Sequence, residues 1–159
     1  MDIKPALKSQ YGAGLAMLRQ AIERCPDTTW IAGTHPRNFW RIAYHAIFYT
    51  HLYLASDLAS FQAWEKHRDS VRYLWGMPDM EPPYTQAELL EYLDWLIAAL
   101  PPFVDSLNLD ATETGFDWYP NMGKLEHQFV NIRHLQGHVG QLSELLMAQE
   151  IYTDWVGNR

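Results

Sequence analysis

The chain is poor in cysteine, which bounds its redox chemistry. Its 159 residues include one cysteine, Cys25. One thiol cannot form an internal disulfide, so we expect a protein of a reducing compartment. Cys25 lies close to the acids Glu23 and Asp27, which raise the pKa of a thiol and make it a poor nucleophile.

Basic residues are also few, and they are dispersed along the chain. There are 12 lysines and arginines against 19 acids, for a formal charge of −7. Binding to a nucleic-acid backbone depends on clustered basic residues, so we expect no nucleic-acid partner. The same shortage argues against binding to an anionic membrane surface.

Long apolar runs are missing as well. No stretch reaches the roughly 18 to 20 uninterrupted apolar residues that a membrane span needs. The first residues, MDIKPALKSQYG, lack the apolar region of a signal peptide, so we expect a cytoplasmic protein. With 48% hydrophobic and 14% aromatic residues, residues 1–159 have enough apolar material to form one domain with a substantial core.

Several catalytic motifs are absent too. The chain contains no HExxH, no P-loop and no G-x-S-x-G sequence, which argues against those classes of protease, nucleotide hydrolase and serine hydrolase. It contains no Glu-x-x-His pair either, although di-iron helical bundles require such pairs.

What the chain does contain is helical periodicity, in four segments. The first covers about residues 3–25 and the second about 36–56, where Thr34 is a plausible N-cap and Pro36 suits a first turn. The third begins with the capping box Thr85-Gln86-Ala87-Glu88. The fourth covers about 124–150. The pattern predicts an all-α protein, an antiparallel four-helix bundle.

The connections between these segments are less regular. We expect short helical turns within residues 57–84 and a loop over 108–123. Pro101-Pro102 should kink or end the third helix. Trp75, Trp118 and Tyr119 lie in these connections, where they either line a pocket or anchor a loop.

Three histidines suggest a metal site. His134 and His138 stand at i and i+4 in NIRHLQGHVGQLSELL, so their imidazoles project from one helix face. His45 lies in the apolar second helix, which should be central and buried. Three imidazoles meeting between facing helices would leave open positions on an ion, the layout of a catalytic metal. The alternative is that each is a core histidine satisfied by hydrogen bonds.

The other histidines are weaker candidates for metal ligands. His127 shares the face of His134 but lies two turns away, about 10 Å along the helix. We expect His35 and His67 to be solvated, and His51 to lie at the surface.

Two amides on the fourth helix are candidates to orient an imidazole or a substrate. Asn131 precedes His134 by three residues, and Gln141 follows His138 by three. Ordinary polar positions beside the core are an equal alternative. Glu126 and Glu144 lie off the histidine face, so the sequence offers no carboxylate base, and the catalytic group would be a metal-bound water or thiolate.

WRIAYHAIFYTHLYL followed by NIRHLQGHVGQL resembles the DinB/YfiT-like superfamily of four-helix-bundle metalloenzymes, over most of the chain. The resemblance implies that His45, His134 and His138 are the metal ligands, that the ion is zinc or nickel, and that the protein is a homodimer. It also implies that a low-molecular-weight thiol can be a cosubstrate. Gly137 stands where many members carry a further histidine, at a position that is not one of the three ligands.

The sequence therefore favours a divalent-metal enzyme, using zinc, or alternatively nickel or iron, that acts on a small electrophile by thiol-dependent transfer, hydrolysis or isomerisation. One alternative is a non-catalytic bundle that binds a metal or small ligand, such as a stress-response accessory protein or sensor. Another is a purely structural bundle with satisfied core histidines.

Overall fold

The protein is all-helical in the computed structural model, which describes residues 2–159. Within that range there is no β-strand, which confirms the predicted all-α class. None of these helices is both long enough and apolar enough to cross a membrane. The elements are α1 (Lys4–Arg24), α2 (Asp27–Trp30), α3 (Phe39–Leu54), a 3₁₀ turn (Asp69–Arg72), α4 (Gln86–Ser106) and α5 (Lys124–Met147).

The four long helices pack as a ring in which α1 contacts α4 and α5, and α3 contacts the same two. Lys4 at the start of α1 donates to the carbonyl of Asp105 near the end of α4, so these two helices run in opposite directions. His45 contacts His134 and Tyr53 contacts Gln128, so residue numbers rise along α3 as they fall along α5. These two helices are therefore antiparallel as well. The other neighbouring pairs, α1 with α5 and α3 with α4, are parallel. The long connection between α3 and α4 allows the chain to return, so that α4 begins at the same end of the bundle as α3.

Helix α3 is the centre of the fold, since all sixteen of its residues are buried. A helix that is apolar nearly all round can only be accommodated when other elements cover every face. Here α4 and α5 cover two sides, and the 3₁₀ turn covers a third. The sequence prediction of a central second helix is confirmed.

Three polar side chains of α5 fix its position against the carboxyl end of α3. Asn131 donates to the Thr50 carbonyl at 3.1 Å and Gln128 to the Tyr53 carbonyl at 3.1 Å. The buried ammonium of Lys124 donates to the carbonyls of Ala55, Ser56 and Thr114. The last four carbonyls of a helix have no intrahelical partner, and Gln128 satisfies that of Tyr53, while the bonds to Thr50, Ala55 and Ser56 attach α5 to the carbonyls on either side of it.

One predicted boundary was wrong, and of the two outcomes predicted at Pro101-Pro102, a kink or an end, the end does not occur. The second helix begins at Phe39 with Asn38 as its N-cap, and Pro36 lies in the preceding turn. The third helix continues through Pro101 and Pro102 to Ser106. The two prolines are exposed, so the carbonyls that lose a bonding partner one turn earlier lie near water, which satisfies them.

The connections follow the prediction in outline. Residues 57–84 contain one short helical element, the 3₁₀ turn, and residues 108–123 contain none. The capping box at the start of α4 forms as expected, with the Glu88 amide donating to the Thr85 hydroxyl and the Thr85 amide donating to the Glu88 carboxylate.

The two glycines of α1 allow a matched stability test. A Cβ at Gly14 would lie 2.8 Å from Leu135 Cδ2, whereas a Cβ at Gly12 would lie 3.4 Å from its nearest neighbour, Arg159. Gly12→Ala should raise the free energy of unfolding by up to about 1 kcal/mol through helix propensity. Gly14→Ala should lower it by about 1 kcal/mol, because the buried Leu135 side chain of α5 has to shift. Urea denaturation measures both, and equal stabilisation by the two variants would contradict the close approach of α1 to α5.

Candidate metal centre

The three histidines singled out in the sequence meet between α3 and α5. Their ligand nitrogens all lie within 4.8 Å of one another. His134 Nε2 is 3.0 Å from His45 Nε2 and 3.2 Å from His138 Nε2. Nitrogens bound tetrahedrally to one zinc ion would be about 3.3 Å apart, given zinc–nitrogen bonds of 2.0–2.1 Å. The group can therefore hold a metal ion.

Hydrogen bonds at the far side of two rings determine which nitrogen carries the proton. His45 Nδ1 is 2.6 Å from the carbonyl oxygen of Arg72, which only accepts, so Nδ1 is the protonated nitrogen. His138 Nδ1 lies 3.1 Å from Oε1 of Gln141 and donates to it in the same way. In neutral imidazoles, Nε2 of both rings then carries a free lone pair that points into the cluster.

Three facing Nε2 atoms are not satisfied by hydrogen bonding alone. His134 Nε2 carries at most one proton and can donate it to one neighbour, so the Nε2 lone pair of the other ring would be left without a donor. A cation between the three nitrogens removes this conflict. The donor set and its protonation therefore fit a metal ion better than a set of satisfied core histidines.

Burial keeps the imidazoles neutral. Desolvation is the largest effect on all three; it lowers the pKa of His45 to about 2 and that of His134 to about 4, and lowers the pKa of His138 as well. The neighbouring imidazoles lower the first two further. A neutral imidazole is the form that binds a metal, so the folded protein presents the ligands ready to bind.

The two amides proposed from the sequence lie in different settings. Gln141 contacts His138, as described above. Asn131 donates to the Thr50 carbonyl across the helix interface, and its Oδ1 is buried without a partner. His134 Nδ1, one turn further along α5, is also buried without a partner. These two groups are complementary, an acceptor and a donor, at i and i+3 on one helix.

An aromatic cavity of about 400 Å³ lies beside the histidines. The Tyr49 ring is 4.5 Å from the His45 ring and 5.5 Å from the His134 ring, centroid to centroid, and the Trp75 ring is 5.9 Å from His45. Both side chains line the cavity, which therefore adjoins the cluster. The other lining residues are Leu52, Tyr53, Arg72, Tyr73, Trp118 and Tyr119.

Part of this cavity was predictable from the sequence and part was not. Trp75, Trp118 and Tyr119 line it, which supports pocket lining over simple loop anchoring. Tyr49 was missed, although its place four residues after His45 puts it on the same helix face. Nothing in the sequence indicated that Arg72 lies at this cavity, because its position depends on how residues 57–84 fold over α3.

Two predictions about the remaining histidines were wrong. His51 is buried, 3% exposed, with Nδ1 2.8 Å from the Tyr92 hydroxyl. His67 is half-buried, bonded to the Tyr44 hydroxyl and stacked on Phe48. His51 lies on α3 beneath elements that cover it, and His67 belongs to a segment that packs on α3, so neither is simply solvated.

The two histidines not yet described are His35 and His127. His35 is partly buried, and its Nε2 lies 2.9 Å from the carbonyl oxygen of Pro78. His127 is outside the cluster, as expected, and is fully buried.

His127 should make stability depend on pH. Neither of its ring nitrogens has a partner, and burial, aided by the charge of Lys124, lowers its pKa to about 4. The unfolded chain binds the proton near pH 6.5. Its contribution to stability is therefore complete above pH 6.5 and is lost as the pH falls toward 4, by about 1.4 kcal/mol per pH unit.

The variant His127→Phe tests this, because it keeps a ring of similar shape and removes the titration. Urea denaturation at pH 7 and pH 5, with chelator present so that metal loss does not contribute, should show a smaller difference between the two pH values for the variant than for the wild type. An unchanged difference would mean that His127 does not titrate in this window.

No protein-family model, curated protein or solved structure matches this chain. The likeness to the DinB/YfiT-like superfamily accordingly depends on the sequence motifs that carry it. The function is inferred from the site.

Proposed function

We propose that this protein is a divalent-metal enzyme whose ion is held by His45, His134 and His138. The observation that carries the proposal is the convergence of three Nε2 atoms, two of them on rings whose Nδ1 proton is already engaged. Three neutral nitrogen ligands favour zinc, with nickel or iron as alternatives. An ion held this way keeps its full charge and, when bound, supplies a Lewis acid that lowers the pKa of water or a thiol.

The residues around the ligands would hold them in place. The Arg72 carbonyl and the Gln141 amide orient His45 and His138 through their Nδ1 protons. We assign Asn131 the same role toward His134, since the unpaired Oδ1 of Asn131 and the unpaired Nδ1 of His134 complement each other. Partners of this kind fix the ring orientation and raise the basicity of the ligand.

The neighbouring cavity would bind the substrate. Its volume of about 400 Å³ suits a small molecule, and six of its eight lining residues are aromatic. The lining also includes Arg72, whose guanidinium donates to the Tyr73 hydroxyl at 2.5 Å. A small electrophile with a planar apolar body fits this lining.

The nucleophile would come with the substrates. The cluster contains imidazoles and no carboxylate, and Glu126 and Glu144 are exposed on α5. Without a protein base at the site, the nucleophile would be water activated by the ion or, as the DinB/YfiT-like resemblance implies, a low-molecular-weight thiol as cosubstrate. Transfer to sulfur, hydrolysis or isomerisation of a small electrophile are the reactions open to this arrangement.

The proposal also includes the family of the fold and the oligomeric state. The ring of four long helices, with its long connection before α4, is compatible with the DinB/YfiT-like four-helix bundle, and we propose that family as the origin of the fold. We also propose a cytoplasmic homodimer. A Cβ at Gly137 would meet no atom within 4 Å, so the absence of a histidine there leaves the ligand set unaffected.

Metal content tests the site directly. Untagged protein purified without chelator should carry close to one divalent ion per chain by mass spectrometry. The double variant His134→Ala/His138→Ala should lose nearly all of it, while His35→Ala, outside the cluster, should keep it. Circular dichroism confirms that each variant is folded. A wild type that remains metal-free after equilibration with zinc and nickel would refute the proposal.

Turnover then separates an enzyme from a non-catalytic metal-binding bundle. Metal-loaded protein with glutathione and 1-chloro-2,4-dinitrobenzene should form the thioether faster than the reagents alone. Trp75→Ala should lower kcat/KM by roughly tenfold through lost aromatic packing in the cavity, about 1.4 kcal/mol. His35→Ala should leave the rate unchanged. Bound metal without turnover on this and related electrophiles would favour the alternative, a sensor or accessory protein.

A further inference from the structure

A second cavity lies on another face of α3, away from the histidine cluster. Its volume is about 350 Å³, and it is formed by the end of α3, the segment that follows it and α4. His51 lies at this cavity, six residues after His45 and therefore turned roughly 120° from it around the helix. The other lining side chains used here are Phe61, Gln62, Trp95 and Phe103.

The hydrogen bond between His51 and Tyr92 determines the chemistry that His51 presents. Their atoms Nδ1 and Oη are 2.8 Å apart, and the Tyr92 side chain is fully buried. The Tyr92 hydroxyl has no other acceptor within the described part of the chain, so it donates to Nδ1. A neutral imidazole with an accepting Nδ1 carries its proton on Nε2.

The Nε2–H of His51 points to the cavity without a protein partner. His51 is 3% exposed, yet its Nε2 is not among the buried atoms without a partner, and no protein group bonds to it. The remaining exposure is toward the cavity that His51 lines. Burial lowers the pKa of His51 to about 4, so this ring is neutral at pH 7 and Nε2 is a neutral donor.

The walls of the cavity are aromatic. The rings of Phe61 and Trp95 each lie 4.8 Å from the His51 ring, edge to face, and Phe103 lies 6.0 Å from Trp95. Such walls favour a flat aromatic guest in offset or edge-to-face contact.

Polar groups other than His51 are few at this site. The cavity lining contains no charged side chain, and its polar side chains besides His51 are Gln62, Ser56, Ser60 and Ser106. The hydroxyls of Ser60 and Ser106 donate to main-chain carbonyls, of Asp57 and Phe103. A charged guest would lose its hydration without gaining a counter-ion here, which is costly, so the guest must be uncharged.

We propose that this cavity is a second small-molecule site, which binds an uncharged planar aromatic compound through one carbonyl oxygen that accepts the hydrogen bond of His51 Nε2–H. Its volume lies at the lower end of the range for ligand sites, which suits a single substituted ring. The site is independent of the histidine cluster, because it shares no lining residue with the cavity beside the metal ligands.

The test uses acetophenone and ethylbenzene, which differ chiefly in the carbonyl oxygen. Histidine side chains labelled with ¹⁵N are observed by NMR during titration of metal-free protein. Acetophenone should shift the His51 Nε2 resonance saturably and bind at least about tenfold tighter than ethylbenzene, the equivalent of about 1.4 kcal/mol for one hydrogen bond. This comparison needs no variant, so it does not depend on whether a substitution folds.

Variants then locate the site. Trp95→Leu should weaken acetophenone binding at least about fivefold through the lost aromatic wall. Trp118→Leu, in the cavity beside the histidine cluster, should not change it. His51→Phe should bind the two compounds with equal affinity.

Three results would overturn the proposal. One is no saturable shift of the His51 resonance up to the solubility of acetophenone. Another is equal affinity of the wild type for the ketone and the hydrocarbon. The third is a dimer in sedimentation equilibrium that Trp95→Leu dissociates, since a second copy of the chain would then cover the cavity.

Discussion

The register between α3 and α5 is the constraint on which the rest of the structure depends. It is set by three side chains of α5 that donate to the carbonyls at the end of α3: Asn131 to Thr50, Gln128 to Tyr53, and Lys124 to Ala55 and Ser56. Each of these donors is buried, so a slip by one helical turn would leave it unsatisfied, at a cost of roughly 1–3 kcal/mol per group. In this register His134 and His138, further along α5, face His45.

The same interface explains how much of the site could be predicted from the sequence. The i, i+4 spacing of His134 and His138 and the apolar surroundings of His45 are local features, and helix geometry carries them directly into the structure. Contacts made by the segments between the long helices join residues that are far apart in the sequence. The Arg72 carbonyl reaches His45 from the 3₁₀ turn, and no periodicity predicts where that turn lies.

The fold could be predicted from the sequence to a similar extent. Hydrophobic periodicity located the four long helices, but the ends of two of them depend on surroundings. Pro101 and Pro102 do not end α4, because they lie on an exposed face where water can satisfy the freed carbonyls. His51 was expected at the surface, yet a helix apolar nearly all round has no solvent face on which to place it.

The complete burial of α3 also explains why two histidines of one helix carry their protons on different ring nitrogens. The face with His45 lies against α5, where the accepting Arg72 carbonyl places the imidazole proton on Nδ1 and leaves the Nε2 lone pair free. The face with His51 lies toward α4, where the donating Tyr92 hydroxyl places the proton on Nε2 and makes it a hydrogen-bond donor. Both rings are kept neutral by desolvation. The partner at Nδ1 therefore decides whether a buried histidine of this helix is suited to bind a cation or a carbonyl oxygen.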